Sequence, residues 1–260
     1  MPQRRKTQPP VVLSIAGYDP SSGAGVTADV KTIAAHGCYG VTCITALTVQ
    51  STAGVRRVEP VDGGVLAETL ELLADDLEIR AVKIGMLGSA AAANAVARFL
   101  SRHSIENVVL DPVIKSSSGA DLISSDGLRM LKTTLLAQAH VITPNVDEAA
   151  VLTSLRVAAP DEMKAAAARL HQLGARNVIV TAGHLDPPHD LLSREGKQMI
   201  FLKGKKIATR KATGRPLAGK PSQSATCVAV TSASSHTPCG PTTMSVRRNL
   251  MSGKAVSNCV

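Results

Sequence analysis

The chain has 260 residues, 44% of them apolar, which is enough for one large core, and a formal net charge of +9 at pH 7. The charge is not spread evenly: 11 of the 29 Lys and Arg follow Glu195, where no Asp or Glu occurs, while residues 1–195 hold 18 basic against 20 acidic groups. With 2 Phe, 2 Tyr and no Trp there are few surfaces on which bases could stack, and no apolar run approaches the ~20 residues of a membrane span, so neither a nucleic acid nor a membrane is expected as partner.

Strand-like and helix-like runs alternate along the chain. Residues 11–16 read as a strand and 27–36 as a helix closed by Gly37, with Val30, Ile33 and Ala34 at helical spacing. Residues 41–49 are β-branched and apolar on both faces, the pattern of a fully buried parallel strand. A helix is predicted over 61–77, a strand over 81–84, a helix over 90–103 and a strand over 107–110. A helix over 126–138, a strand over 140–142, a helix over 161–173 capped by Gly174, and a strand over 177–181 complete the pattern. Strands separated by helices imply right-handed crossovers and a mostly parallel sheet in an α/β fold, with ligands bound beyond the carboxyl ends of the strands.

The residues that leave the predicted strands are therefore the candidates. They are Gly17-Tyr18-Asp19, Gln50-Ser51-Thr52, Gly85-Met86-Leu87, Asp111-Pro112, Thr143-Pro144-Asn145 and Ala182-Gly183-His184. Each also has a plain reading: Gly85 and Gly183 turn the chain, Asp111 caps the next segment, and Met86 belongs to the core. Asn145 and Glu148 place an amide and a carboxylate three residues apart after the 140–142 strand, a combination suited to phosphate and magnesium. The loop 19–25 is rich in small residues and opens a helix, so its backbone N–H groups are expected to face a ligand of negative charge. It lacks the Gly-x-Gly-x-x-Gly spacing, and the run Gly214 to Pro221 fails as a phosphate loop because Pro221 stands where a hydroxyl should hold magnesium. Cys38, Cys43, Cys227, Cys239 and Cys259 form no Cys-x-x-Cys pair, which fits a reducing, cytoplasmic setting. The apolar run after Arg4-Arg5-Lys6 is short and reads as a first strand instead of a signal peptide.

Five segments carry a resemblance: Ala16-Gly17-Tyr18-Asp19-Pro20-Ser21-Ser22-Gly23-Ala24-Gly25 with Ala28-Asp29-Val30-Lys31-Thr32, then Gly40-Val41-Thr42 through Ile44 to Thr52, Val82-Lys83-Ile84-Gly85-Met86-Leu87, Val109-Leu110-Asp111-Pro112-Val113 and Ile142-Thr143-Pro144-Asn145. Over about residues 11–210 the chain resembles the hydroxymethylpyrimidine/phosphomethylpyrimidine kinases of thiamine biosynthesis, in the ribokinase-like superfamily. The resemblance implies a three-layer α-β-α sandwich, a cytoplasmic location and a homodimer. It also implies ATP- and Mg2+-dependent phosphorylation of 4-amino-5-hydroxymethyl-2-methylpyrimidine and of its monophosphate. It assigns Gln50 to the pyrimidine edge, Met86 to the ring face, and Gly17 and Asp29 to the same pocket. Asp111 and Glu148 match magnesium positions, and with Asn145 they organise the nucleotide phosphates. Thr181, Gly183 and His184 match a Lys-Gly-Gly-His segment near the nucleotide, with Thr181 in place of the lysine and Ala182 in place of the first glycine. Thr213 and Gly214 match the anion-hole segment His-Gly-Thr-Gly-Cys, but Arg215 stands where its cysteine belongs, so no catalytic residue is assigned.

Three units are thus expected: a disordered basic segment 1–10, a kinase domain 11–210 truncated at its end, and an atypical, poorly ordered tail 211–260. The acid-free, Ser/Thr/Pro-rich tail reads as the product of a frameshift or misassembled reading frame, with a genuine lineage-specific tail as the alternative. Two further readings stand beside the pyrimidine kinase: a pyridoxal kinase, which phosphorylates the hydroxymethyl group of a similar flat heterocycle, and a catalytically silent pyrimidine-binding protein.

Overall fold

The computed structural model describes residues 8–116, 119–182 and 189–203. Within them the strands are β1 (Val11–Tyr18), β2 (Tyr39–Ser51), β3 (Gly54–Pro60), β4 (Ile79–Ile84), β5 (Val108–Leu110), β6 (Val141–Ile142), β7 (Asn177–Val180), β8 (His189–Arg194) and β9 (Gln198–Lys203). The helices are α1 (Gly25–Ala35), α2 (Gly63–Asp76), α3 (Ala90–Arg102), α4 (Ser125–Met130), α5 (Leu136–Gln138), α6 (Val146–Thr153) and α7 (Pro160–Gln172), with one π-helical turn (Leu131–Leu135) joining α4 to α5. All described strands lie in one sheet of order β3-β2-β1-β4-β5-β6-β7-β8-β9. The six central strands, β2 through β7 in that order, run parallel, and antiparallel strands close both edges: β3 on β2, and β8 with β9 beside β7.

Sheet pleating sorts the residues of β1 and β4 between the two faces. Leu13, Ile15, Val82 and Ile84 point into the main core with Leu66 and Leu70 of α2 and Phe99 of α3. Ser14 and Lys83, opposite each other in register, turn to the other face and meet Asp29 of α1. Helices therefore cover both faces, the three-layer arrangement of the α/β class. The connection from β1 leads outward to β2, whereas β4 lies on the opposite flank of β1 and leads on to β5. That reversal marks the carboxyl ends of β1 and β4 as the position where open α/β sheets bind ligands.

Local signals explain the helix boundaries. Asp62 caps α2 by accepting the Gly64 and Val65 N–H groups, and Ser89 caps α3 by accepting that of Ala92. Gly37 and Gly174 follow α1 and α7 at φ of 73° and 104°, as expected of helix-terminating glycines. Several expectations are corrected. β2 is not buried on both faces: Tyr39, Leu47 and Val49 are 55%, 51% and 46% exposed. Its pairing with β1 ends at Leu47, and the remainder continues alone in a hairpin with β3. The helix expected over 61–77 starts at Gly63 because Asp62 is its cap, and the one over 126–138 is interrupted by the π turn. The Pro10 carbonyl already accepts the Tyr39 N–H. The expectations for residues 1–7 and 204–260, the frameshift reading among them, lie outside the described residues. No described helix is long and apolar enough to cross a membrane.

Candidate active site

The loop after β1 is organised from within. The Asp19 carboxylate accepts from the Ser21 N–H and hydroxyl, both at 2.7 Å, and from the Gly23 and Ala24 N–H groups at 3.0 and 2.8 Å. The amides expected to face an anionic ligand are thus answered by the protein's own anion, which corrects the sequence expectation for this loop. Burial alone would raise the Asp19 pKa, but hydrogen bonds from the Ser21 and Gln50 side chains and from the Ser21 and Ala24 amides hold it below the ordinary carboxylate range. Half-buried Gln50, at the far end of β2, is in this way tied to the loop. The close return of the chain requires glycine at Gly25: its φ is 59°, and a Cβ there would lie 2.1 Å from the Gly17 carbonyl oxygen.

Gly17, near the end of β1, and Met86, just after β4, are packed together, since a Cβ on Gly17 would stand 2.9 Å from the Met86 sulfur. Met86 is also held through its backbone, whose carbonyl accepts the buried Thr45 hydroxyl. It joins Ala46 and Leu122 in a small apolar cluster separate from the main core. A flexible thioether at a sheet edge is well suited to lie against a flat ring.

An ionic group lies behind this apolar corner. Lys83 Nζ donates to Asp29 Oδ2 at 2.9 Å, and the Ser14 hydroxyl donates to the same oxygen at 2.7 Å. The same ammonium stands 3.9 Å from Asp111 Oδ2. Gly85 leaves the necessary space, because a Cβ there would come within 2.9 Å of Nζ and 3.1 Å of the Ala16 methyl. Burial opposes the charge on Lys83, but the Asp29 and Asp111 carboxylates outweigh it and hold the pKa above the ordinary value. Asp111 shows the reverse: burial, aided by the Asp29 charge and opposed by Lys83, raises its pKa to about 6.

Asn145 and Glu148 join this group from the next turn. Asn145 Oδ1 accepts the Glu148 N–H and Glu148 Oε2 accepts the Asn145 N–H, a reciprocal capping box that starts α6. Burial first, then the nearby Asp111 charge, pushes Glu148 up to about 8, against lowering hydrogen bonds from the Asn145 and Ile114 backbones. Thr181 pairs across the edge, its N–H to the Pro144 carbonyl and its carbonyl to the Val146 N–H. Among the described residues Asp111 Oδ2 and the Thr143 hydroxyl are buried with no hydrogen-bond partner. The Asp111 and Glu148 carboxylates, close enough for the charge on Asp111 to disfavour that on Glu148, are hard oxygen donors of the kind magnesium takes when phosphates supply the other ligands.

Gly17, Gln50, Met86, Asp111, Asn145, Glu148 and Thr181 therefore lie at or just beyond the carboxyl ends of the strands, and Asp29 of α1 meets Ser14 and Lys83 on one face of the sheet. Gly183, His184, Thr213, Gly214 and Arg215 lie outside the described residues. Sequence reasoning gave no role to Lys83, Ser14 or the self-capping of Asp19. A lysine and a serine set between apolar residues in two strands were the available signal, because buried polar groups need partners.

Residues 19–235 match the family model for phosphomethylpyrimidine kinase. A hydroxymethylpyrimidine/phosphomethylpyrimidine kinase of Aquifex aeolicus (strain VF5) is 38% identical over 205 residues, covering 78% of this chain and 80% of that one. The crystal structure of a phosphomethylpyrimidine kinase from Clostridium difficile 630 superposes with a TM-score of 0.70 at 36% identity, over 75% of this chain and 84% of that one. An ADP complex of Bacillus subtilis pyridoxal kinase gives a TM-score of 0.70 at 30% identity, over 79% of each chain. With most of its length inside the family match and a relative near 40% identity, this chain belongs to the phosphomethylpyrimidine kinase family.

Proposed function

We propose that the chain transfers the γ-phosphoryl group of ATP to the hydroxymethyl oxygen of 4-amino-5-hydroxymethyl-2-methylpyrimidine, and then phosphorylates the monophosphate, in the formation of thiamine diphosphate. The observation that carries this reading is the juxtaposition near the carboxyl ends of β1 and β4 of an apolar corner, Gly17 with Met86, and an ionic group, Lys83 with Asp29 and Asp111. A flat ring fits the first, and a transferring phosphoryl group needs the charge organisation of the second.

Gln50 meets the pyrimidine edge, since its amide both donates and accepts, and Met86 covers the ring face. Asp111 and Glu148 are the carboxylates that would hold Mg2+, which would neutralise charge on the nucleotide phosphates there. Asn145 holds Glu148 in place, and Thr181 marks the nucleotide side. The nucleotide complex of the Bacillus subtilis neighbour supports ATP as donor. With Arg215 in the place of the family cysteine, turnover is expected to be impaired.

Release of ADP from ATP and Mg2+, coupled to a spectrophotometric readout, tests the reading with the pyrimidine alcohol, its monophosphate and pyridoxal in parallel. Faster release with the alcohol supports it. Release with pyridoxal alone would replace it by the pyridoxal kinase reading, and calorimetric binding of the alcohol without ADP release would replace it by a silent binding protein.

A further inference from the structure

We propose that Lys83 and Ser14 act as a positioning pair that grips the Asp29 carboxylate by one oxygen, Oδ2, so that its other oxygen, Oδ1, is presented as an acceptor to a donor group on the substrate. This deepens the kinase reading by adding two residues with a role in substrate selection.

The two hydrogen bonds that reach the Asp29 side chain among the described residues both end on Oδ2, from Ser14 at 2.7 Å and from Lys83 at 2.9 Å. They come from adjacent strands and meet a residue of α1, so the carboxylate plane is fixed from the sheet. Asp29 is not sealed: its side chain retains 14% of its accessible surface, against 0% for Ser14. A carboxylate held on one side in this way accepts on the other, and an ionised carboxylate offers acceptors only. It therefore favours a ligand carrying an N–H or O–H at that point, such as an exocyclic amine or a hydroxymethyl group, over one that presents a carbonyl.

The ammonium has a second consequence. Lys83 stands between Asp29 on the ring side and Asp111 on the phosphate side, 2.9 and 3.9 Å away. Without that cation the two carboxylates would face each other across a buried space, so Lys83 also keeps Asp29 from swinging away from Asp111. Gly85, whose missing Cβ gives Nζ its room, serves this arrangement.

The test is titration calorimetry of the full chain with 4-amino-5-hydroxymethyl-2-methylpyrimidine, without nucleotide or Mg2+, with folding checked by circular dichroism. Loss of a charge-assisted hydrogen bond predicts that K83M and D29N each bind about ten- to a hundredfold more weakly. The K83M/D29N double variant should bind no more weakly than the weaker single one, because Lys83 acts through Asp29. In turnover, K83M should raise KM by a larger factor than it lowers kcat. Folded K83M with unchanged affinity, or losses that add in the double variant, overturns the proposal. If K83M does not fold, S14A decides: about two- to tenfold weaker binding supports the pairing, and unchanged binding overturns it. A wild-type chain that binds pyridoxal and ignores the pyrimidine counts against the substrate reading alone, and the same cycle run with pyridoxal then tests the positioning. Binding of neither compound overturns both.

Discussion

Asn145 and Glu148 clasp each other, the amide oxygen of one accepting the backbone N–H of the other at 2.8 Å and the carboxylate of the second returning the bond at 2.9 Å. Both residues are candidates for the proposed site, and the clasp starts α6 at the carboxyl edge of the sheet. Structure and chemistry at this position are therefore separable by substitution. Asn145→Ala removes the cap of α6 and should lower stability by about 1 kcal/mol, read as a shift of the denaturant midpoint.

Glu148→Gln should behave in the opposite sense. It keeps an acceptor for the Asn145 N–H and removes the cost of holding protonated on folding a carboxyl that burial and Asp111 push up to about 8. At pH 7 the metal-free variant should be as stable as the wild type or more so, by roughly 1 to 3 kcal/mol. Its affinity for Mg2+ with nucleotide should fall on the order of tenfold or more, measured by calorimetry.

The same groups set a pH dependence. Asp111 and Glu148 have folded-state pKa values raised to about 6 and about 8, so the folded chain binds protons that the unfolded chain has released. Their contribution is fully present below the ordinary carboxylate values, near pH 4, and is lost as pH rises through 6 and 8. Asp19, held low, contributes in the opposite sense, above its ordinary value and less as acid is added. Thermal melts of the metal-free protein should therefore peak on the acid side of neutrality. Glu148→Gln should flatten the decline towards pH 8, and added Mg2+ with nucleotide should oppose it, since a bound cation favours the ionised carboxylates.

Gly25→Ala places a methyl 2.1 Å from the Gly17 carbonyl oxygen at a residue whose φ is 59°. The backbone of the loop after β1 must move to admit it. A loss of roughly 3 kcal/mol or more is expected, or failure to fold, judged by circular dichroism and denaturant titration.

Gln50→Leu tests recognition at the ring edge. Half-buried Gln50 sits at the end of a strand that projects beyond the core, so its replacement should leave the melting temperature within a few degrees of wild type. The kcat/KM for the pyrimidine alcohol should fall about ten- to a hundredfold, as for the loss of a polar anchor.

The alternation of apolar runs with helical spacing made the parallel centre of the sheet legible, along with the edge that would carry the site. The antiparallel margins were not legible in the same way. β3 holds Arg56 and Arg57 among its valines and ends in Pro60, which weakens any period-two signal. The β8–β9 hairpin turns at Glu195 and Gly196, both at positive φ, a Glu-Gly turn in place of the Asn-Gly or Asp-Gly that marks a hairpin most strongly in sequence. Asn-x-x-Glu in sequence suits ligand chemistry, yet the same spacing is that of the capping box it forms here. The role of Lys83 depends on Ser14 of β1 and Asp29 of α1 meeting it in space, and no local spacing of residues encodes that meeting.

The arrangement of the site is tested most directly by a crystal structure of the chain with 4-amino-5-hydroxymethyl-2-methylpyrimidine and a non-hydrolysable ATP analogue. The expected result is a ring against Met86, its edge on Gln50, and a donor of the substrate within hydrogen-bond distance of Asp29 Oδ1. A ring bound elsewhere, such as the cleft between α2 and α3 lined by Glu71, Arg98 and Arg102, would contradict the account.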